Sequence, residues 1–305
     1  MSPTEDAMTG WFRQQSRLSP ADFPIGIGDD MAQIASGGSV LITTDMLLDG
    51  THFELATATF RQVGYKSMAA SLSDCAAMAT VPLAAVVAVA LPAGFTESQM
   101  KDLHAGIASA GEKYHCPLIG GDITSWRGNG RFAICMAMLS RPGDSAPVRR
   151  SGARAGDVIC VTGSLGGSGR RKHLEFEPRV EEALEIVRLA EVHAMMDISD
   201  GLSTDLNRIC AQSGVGAVID ASALPISTDA KGLADPLGAA LHEGEDFELL
   251  LTLAPDDWAN LHRAWHREVP ITQVGTIVQE PGVKIRMADG EVTDLKPGGY
   301  EHLQG

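Results

Sequence analysis

The sequence predicts a chain of mixed α and β elements in two domains, on three observations. Strand-like apolar runs alternate with stretches of helical period in both halves. Residues 141–156 (RPGDSAPVRRSGARAG) are dense in Pro, Gly, Ser and Arg, carry no hydrophobic period and separate the halves. A length of 305 residues, 44% of them hydrophobic, is enough for two packed cores. The domains are placed at 1–148 and 149–305.

The elements follow in order. SVLITTD at 39–45 is β-rich and ends in polar residues, so it reads as a strand running into a loop. Apolar residues at Val63, Met68, Leu72, Cys75 and Ala76 make 59–80 an amphipathic helix. Strands are predicted at 83–90, 117–123 and 131–139, with a helix at 97–114. The longest apolar run, Val81 to Leu91, reads as one buried strand. Beyond the junction, strands are predicted at 157–162, 217–219, 248–253, 271–278 and 283–287, and helices at 180–192, 203–212 and 255–267. Residues 194–198 form an apolar lead into SDGL.

Composition excludes several classes. A net charge of −15 opposes docking on nucleic acid or an anionic membrane surface. No apolar run reaches the roughly 20 residues that span a bilayer. The N-terminus lacks a basic start followed by an apolar core. Five cysteines without CxxC spacing argue against a disulfide framework or a thiolate zinc site, and a reducing cytoplasm fits best.

Acidic residues recur at strand ends and in glycine turns: Gly28-Asp29-Asp30, Thr43-Thr44-Asp45, Ser73-Asp74, Gly120-Gly121-Asp122, Asp197-Ile198-Ser199-Asp200-Gly201 and Gly244-Glu245-Asp246. Any one alone reads as a turn or cap. Asp74, however, sits between Leu72 and Cys75 in an apolar helical pattern, where an unpaired carboxylate is costly, so something positive should face it. Oxygen ligands without clustered His or Cys suit Mg²⁺ or Mn²⁺ rather than Zn²⁺. Converging carboxylates, several such ions and a polyphosphate balance one another's charge, which points to phosphoryl transfer. GxxxxGK[ST] and the HRD and DFG motifs are all missing, so phosphate must be held in another way.

These motifs, with Gly50-Thr51-His52-Phe53, Gly64-Tyr65-Lys66-Ser67, Ser71-Leu72-Ser73-Asp74 and Gly244-Glu245-Asp246-Phe247-Glu248-Leu249-Leu250, occur in an order that resembles the thiamine-monophosphate kinase family over nearly the whole chain. GDD, GGD and SDG are shared more loosely by the wider superfamily of aminoimidazole-ribonucleotide synthetase.

The resemblance implies an α+β fold in two domains and a homodimer whose N-terminal domains share a β-barrel. It implies transfer of the γ-phosphoryl group of ATP directly to thiamine monophosphate, the last step in making thiamine diphosphate. It places Asp30, Thr43, Thr44, Asp45, Asp74, Asp122, Asp197 and Asp200 on Mg²⁺-binding positions, the two threonines as oxygen donors in a turn before Asp45. The aspartates are expected to form one cage. Tyr114, Gly121, Asp122, Arg150 and Ser199 fall on nucleotide positions, and His52, Glu245 and Tyr300 on contacts to the thiamine phosphate.

Each also has a plainer reading. His52 can be a core histidine beside Phe53, Arg150 an exposed linker charge interchangeable with Arg149, and Tyr114 an apolar cap on its helix. Gly163 to Gly169 reads as a flexible connection, because a basic run follows it rather than an apolar helix start. Two other functions are weighed: a sister ATP-dependent enzyme of the superfamily, and a non-catalytic nucleotide-binding scaffold. The first 25 residues hold no Cys or Lys for the former, and the intact aspartates argue against the latter.

Overall fold

The computed structural model describes residues 20, 21, 24, 25, 29, 32–35 and 38–300. Two sheets organise them. The first contains β1 (Ala32–Ala35), β2 (Ser39–Leu48), β3 (Thr80–Leu91), β4 (Leu118–Ser125) and β5 (Ala133–Pro142), in the order β1-β2-β5-β3-β4. Only β3 and β4 run parallel. Helices α1 (Phe60–Ala77) and α2 (Glu97–Glu112) pack together beside this sheet. Thr59 with Gln62 and Thr96 with Gln99 form capping boxes that fix where the two helices begin. Gly64 and Gly106 let them approach closely, since a Cβ on either would lie within 2.1 Å of the other helix's backbone.

The second sheet contains β6 (Val158–Thr162), β7 (Val192–Asp197), β8 (Gly216–Asp220), β9 (Leu249–Leu253), β10 (Ile271–Val278), β11 (Gly282–Arg286) and β12 (Val292–Asp294), in the order β12-β11-β8-β10-β6-β9-β7. Its helices are α3 (Lys172–Glu175), α4 (Val180–Leu189), α5 (Leu202–Ser213), α6 (Thr228–Lys231), α7 (Pro236–His242) and α8 (Pro255–Ala264). Alternate residues of its strands enter different cores. Val158, Cys160, Leu249 and Leu251 join the core that contains α1, whereas Ile159, Val161 and Leu250 join a second core with α5. With both faces covered, all five residues of β9 are buried.

Helix α1 is the element the two halves share. It is buried nearly all round rather than amphipathic, with Lys66, Ser67, Ser71 and Ser73 each at most 1% exposed. The sequence pattern suggested one apolar face because it could not show that a second sheet lies against the other.

Three further expectations need correction. The Val81–Leu91 run is a strand but not a buried one, because Leu83 and Val86 are 39% and 40% exposed. One face of the first sheet has no covering layer among the described residues. Thr43 and Thr44 lie within β2 rather than in a turn: the strand continues to Leu48, paired with Ala133 of β5. Gly163 to Gly169 is a packed segment, with Leu165 and Ser168 buried, Leu165 hydrogen-bonded to Pro225, and Ser168 donating to the Gly244 carbonyl over 2.6 Å. Its partners are distant acidic loops, so local sequence gave no sign of them.

Candidate active site

Alternation along β2 turns Leu41, Thr43, Asp45 and Leu47 toward α1 and leaves Ile42, Thr44, Met46 and Leu48 exposed. The last third of α1 meets this inner row. The Thr43 hydroxyl donates to Asp74, and the Ser71 hydroxyl donates to Asp45. Ser73, on the next face of the helix, donates to Asp197 at the end of β7 over 2.7 Å. Thr43, Asp45 and Asp197 are therefore each tied to a single turn of one buried helix, residues 71–74, which itself carries Asp74. The Thr43 hydroxyl is one partner of the Asp74 carboxylate. Sequence reasoning missed Ser71 and Ser73 as participants, although their i, i+2 and i+3 spacing around Asp74 was the available signal.

Beyond Asp197, the SDG loop lies against the GED loop. The Glu245 N–H donates to the Ser199 carbonyl over 2.7 Å and the Phe247 N–H to the Ile198 carbonyl over 2.9 Å. Gly244, Glu245 and Phe247 all have φ between 50° and 72°, a left-handed run that only the glycine adopts freely. Phe247 is locked by face-to-face stacking on Phe176 at 3.8 Å. Beneath the turn, Glu248 is bound by Arg179 through two hydrogen bonds of 2.7 and 2.8 Å and by Lys172 at 2.9 Å. Those cations hold its carboxyl below the usual range against the effect of burial. Asp246 accepts from the Gly166 N–H at 3.0 Å, and burial lifts its pKa to about 7.

His52 and Glu245 meet at one residue. The Lys66 ammonium, on the first half of α1, donates to the His52 carbonyl over 2.6 Å and is paired with the Glu245 carboxylate. The His52 ring accepts from the Leu48 N–H at 3.1 Å. Lys66 lay within a quoted motif but was not singled out, because a lysine in sequence reads as exposed.

The other positions are more dispersed. Asp200 is paired with Arg208, which also binds the fully buried Asp205 at 3.0 Å. The Tyr300 N–H donates to the Asp200 carbonyl over 3.2 Å, so the last described residue sits on the SDG loop. Arg150 is half-buried and its N–H donates to Asp29 at 2.9 Å, whereas Arg149 is exposed. The Tyr114 hydroxyl is engaged by Glu177 at 2.6 Å and the Pro178 carbonyl at 2.7 Å. Thr44, on the exposed face of β2, lies 3.2 Å from the Cys135 sulfur. Asp30 lies outside the described residues.

Asp122 and Gly121 stand apart. Asp45, Met136, Val87 and Gly121 form one row across the first sheet, and Met46, Cys135, Ala88 and Asp122 the next. Asp122 is therefore three strand spacings, about 14 Å, from Asp45's strand and on the opposite face. Two ligands of one Mg²⁺ lie within about 4 Å of each other, given bonds near 2 Å. Asp122 and Asp45 of one chain do not share an ion. Among the described residues no three His, Cys, Asp or Glu side chains are gathered closely enough to hold a metal. The donor chemistry at Thr43, Asp45, Asp74 and Asp197 nevertheless fits Mg²⁺, being carboxylate and hydroxyl oxygen throughout.

Two sheets joined by a shared helix, with carboxylates at the junction, define a recognisable class. Residues 28–141 match the family model of the AIR synthase related protein N-terminal domain, and residues 154–288 that of the C-terminal domain. The chain is 37% identical to a thiamine-monophosphate kinase of Rhodopirellula baltica, covering 98% of this chain and 97% of the relative. It is also 37% identical to one from Methanospirillum hungatei, covering 87% and 89%. A solved structure described as AaThiL complexed with AMPPCP and TMP superposes with a TM-score of 0.83 at 28% identity, over 98% of this chain and 97% of that one. The chain belongs to the thiamine-monophosphate kinase family.

Proposed function

We propose that this protein transfers the γ-phosphoryl group of ATP directly and in line to the phosphate of thiamine monophosphate, giving thiamine diphosphate and ADP. This is the final step in making that cofactor. The observation that carries the reading is the arrangement along α1. Asp45, Asp74 and Asp197 surround its C-terminal half, while Lys66, about 12 Å nearer its start, holds His52 and Glu245. One rigid helix thus sets the phosphate end against the acceptor end. Relatives named thiamine-monophosphate kinase, one of them solved with AMPPCP and TMP, support the same substrates.

The acceptor is already an anionic phosphate oxygen, so no side-chain base is needed to create the nucleophile. Alignment and charge screening are the tasks left to the protein. Bound Mg²⁺ would supply the screening between the two phosphate chains. Thr43, Asp45, Asp74 and Asp197 would hold such ions on the inner side of β2, with Asp30, Thr44 and Asp200 assigned to further ions of the set; Asp200 would first part from Arg208. Gly121, Ser199 and Arg150 are assigned to the nucleotide, Arg150 in preference to Arg149 because it is the half-buried member facing Asp29. Tyr114 is assigned there too, its hydroxyl engaged by the Glu177 carboxylate and the Pro178 carbonyl. His52, Glu245 and Tyr300 are assigned to the acceptor.

The site is proposed to need a second copy of the chain. Along β2, only Ser39 to Ile42 pair with β1, so Thr43 to Leu47 pair with no strand on that side among the described residues, and β4 is the other edge of the sheet. Ile42, Met46, Val86, Ile119 and Ile123 are exposed beside these edges. Unpaired edges next to an uncovered apolar face are satisfied by pairing with another chain. A two-fold arrangement laying each β4 on the partner's β2 closes a shared barrel and brings Asp122 of the partner subunit alongside Thr44 and Asp45. A domain boundary near residue 148 is supported by β5 ending at Pro142 and β6 beginning at Val158. Unpaired cysteines suit a cytoplasmic setting.

The test is formation of thiamine diphosphate from Mg-ATP and thiamine monophosphate, with Asp45→Asn and Asp74→Asn lowering turnover by about a hundredfold or more in folded protein. ATP consumption only when a different acceptor is supplied would overturn the assignment.

A further inference from the structure

Lys66 presents the least expected environment in the molecule. Its side chain is completely buried, yet it is a lysine on the central helix. Burial lowers its pKa, and the Glu245 charge and hydrogen bond oppose that shift, so the ammonium depends on its partner to stay charged. Isolated cations are costly in such places and survive only when paired and hydrogen-bonded. Both partners are informative. His52 follows β2 in the first half of the chain, and Glu245 lies 179 positions from Lys66 in a strained turn of the second half. The ammonium is hydrogen-bonded to both.

We infer that Lys66 is the positioning residue of the acceptor site: one buried cation fixes the His52 loop and the Glu245 carboxylate relative to each other across the two halves. It does not touch the reacting phosphates. Glu245 keeps 32% of its side chain exposed, so it is held by Lys66 at one side and presented to the site at the other. The inference rests on the acceptor assignment proposed above. It adds that the geometry of that subsite is set by a residue outside it, and that ATP binding, at the other end of α1, is independent of this residue.

The experiment measures KM for thiamine monophosphate and for ATP separately, with kcat and thermal midpoint, in wild type, Lys66→Met, Lys66→Arg, Glu245→Gln and the Lys66→Met/Glu245→Gln double variant. Lys66→Met is expected to raise the acceptor KM at least about tenfold while the ATP KM changes less than about twofold, the scale of one lost hydrogen bond to a charged group. The double variant should be little worse than Glu245→Gln alone, because the two act as a unit. Should Lys66→Met not fold, Lys66→Arg carries the comparison, since a guanidinium keeps the charge but its planar fork misplaces Glu245, and the same split in KM is expected. Equal rises in both KM values, no rise in either, or additive losses in the double variant would overturn the inference. A wild-type protein that does not phosphorylate thiamine monophosphate would overturn the functional reading itself, so the two failures are distinguishable.

Discussion

Ser73 of α1 donates its hydroxyl to Asp197 at the end of β7, joining the two halves of the chain at a buried point 124 positions apart in sequence. The bond lies one residue from Asp74 on the helix. Ser73→Ala leaves Asp197, 3% exposed, without that donor, at a cost of about 1–3 kcal/mol. The expected result is a lower thermal midpoint together with a higher Mg²⁺ concentration for half-maximal rate. A magnesium dependence identical to wild type would show that Ser73 only packs.

The separation of Asp122 from Asp45 within one chain makes a sharper prediction. Asp45→Asn and Asp122→Asn homodimers should each be inactive. In a mixed dimer of the two, one site carries both changes and the other carries neither. Co-expressed, doubly tagged heterodimers should therefore recover about half the wild-type rate. An inactive heterodimer would place both residues in the same chain's site.

Glu248 is buried with two cations against it, and Arg179 supplies the bidentate contact. Arg179→Ala removes that contact without removing the charge it compensates. A destabilisation of about 3 kcal/mol or more is expected by denaturant unfolding, much of it recovered in the Arg179→Ala/Glu248→Gln double variant. Additive losses would mean that the pair is not coupled.

Asp246 has a pKa raised to about 7, chiefly by burial, with Lys172 and the Gly166 N–H pulling it back. Between its unfolded value of 3.8 and about 7 the native state binds the extra proton, so the stability it contributes falls as pH rises through that window and levels off above it. Asp246→Asn removes the titration. The wild-type midpoint minus that of the variant should decrease from pH 5 to pH 8, as followed by thermal unfolding. A constant difference would mean that Asp246 is ionised throughout.

Much of the element pattern was legible because it is local. The periods around β6, β9, β10 and α5 depend on which residues alternate, and the structure keeps each end of these elements within one residue of expectation. The errors came where a residue's state depends on a distant layer. Val81 to Leu91 reads as buried because every residue is apolar, yet Leu83 and Val86 face a side of the sheet left uncovered among the described residues. Thr43-Thr44-Asp45 reads as a strand end because polar residues usually mark one, yet β5 pairs with it throughout. Gly163 to Gly169 reads as loose because its ligands, Asp246 and the Gly244 carbonyl, are nearly eighty positions away.

The sequence by itself determined that this is a two-part α and β chain with recurring carboxylates in glycine turns and no nucleotide loop of the common kinds, since residue types and their order settle those matters. Only the tertiary structure decided which carboxylates meet. Asp45 and Asp197 are each bound by a serine hydroxyl of one buried helix, and Asp74 of that helix by the Thr43 hydroxyl, so all three are tied to the same helical turn. Asp122 does not converge with them, because strand order puts two strands between β2 and β4, and alternation turns it to the other face. Composition counts charges, but the distance between them is a property of the fold.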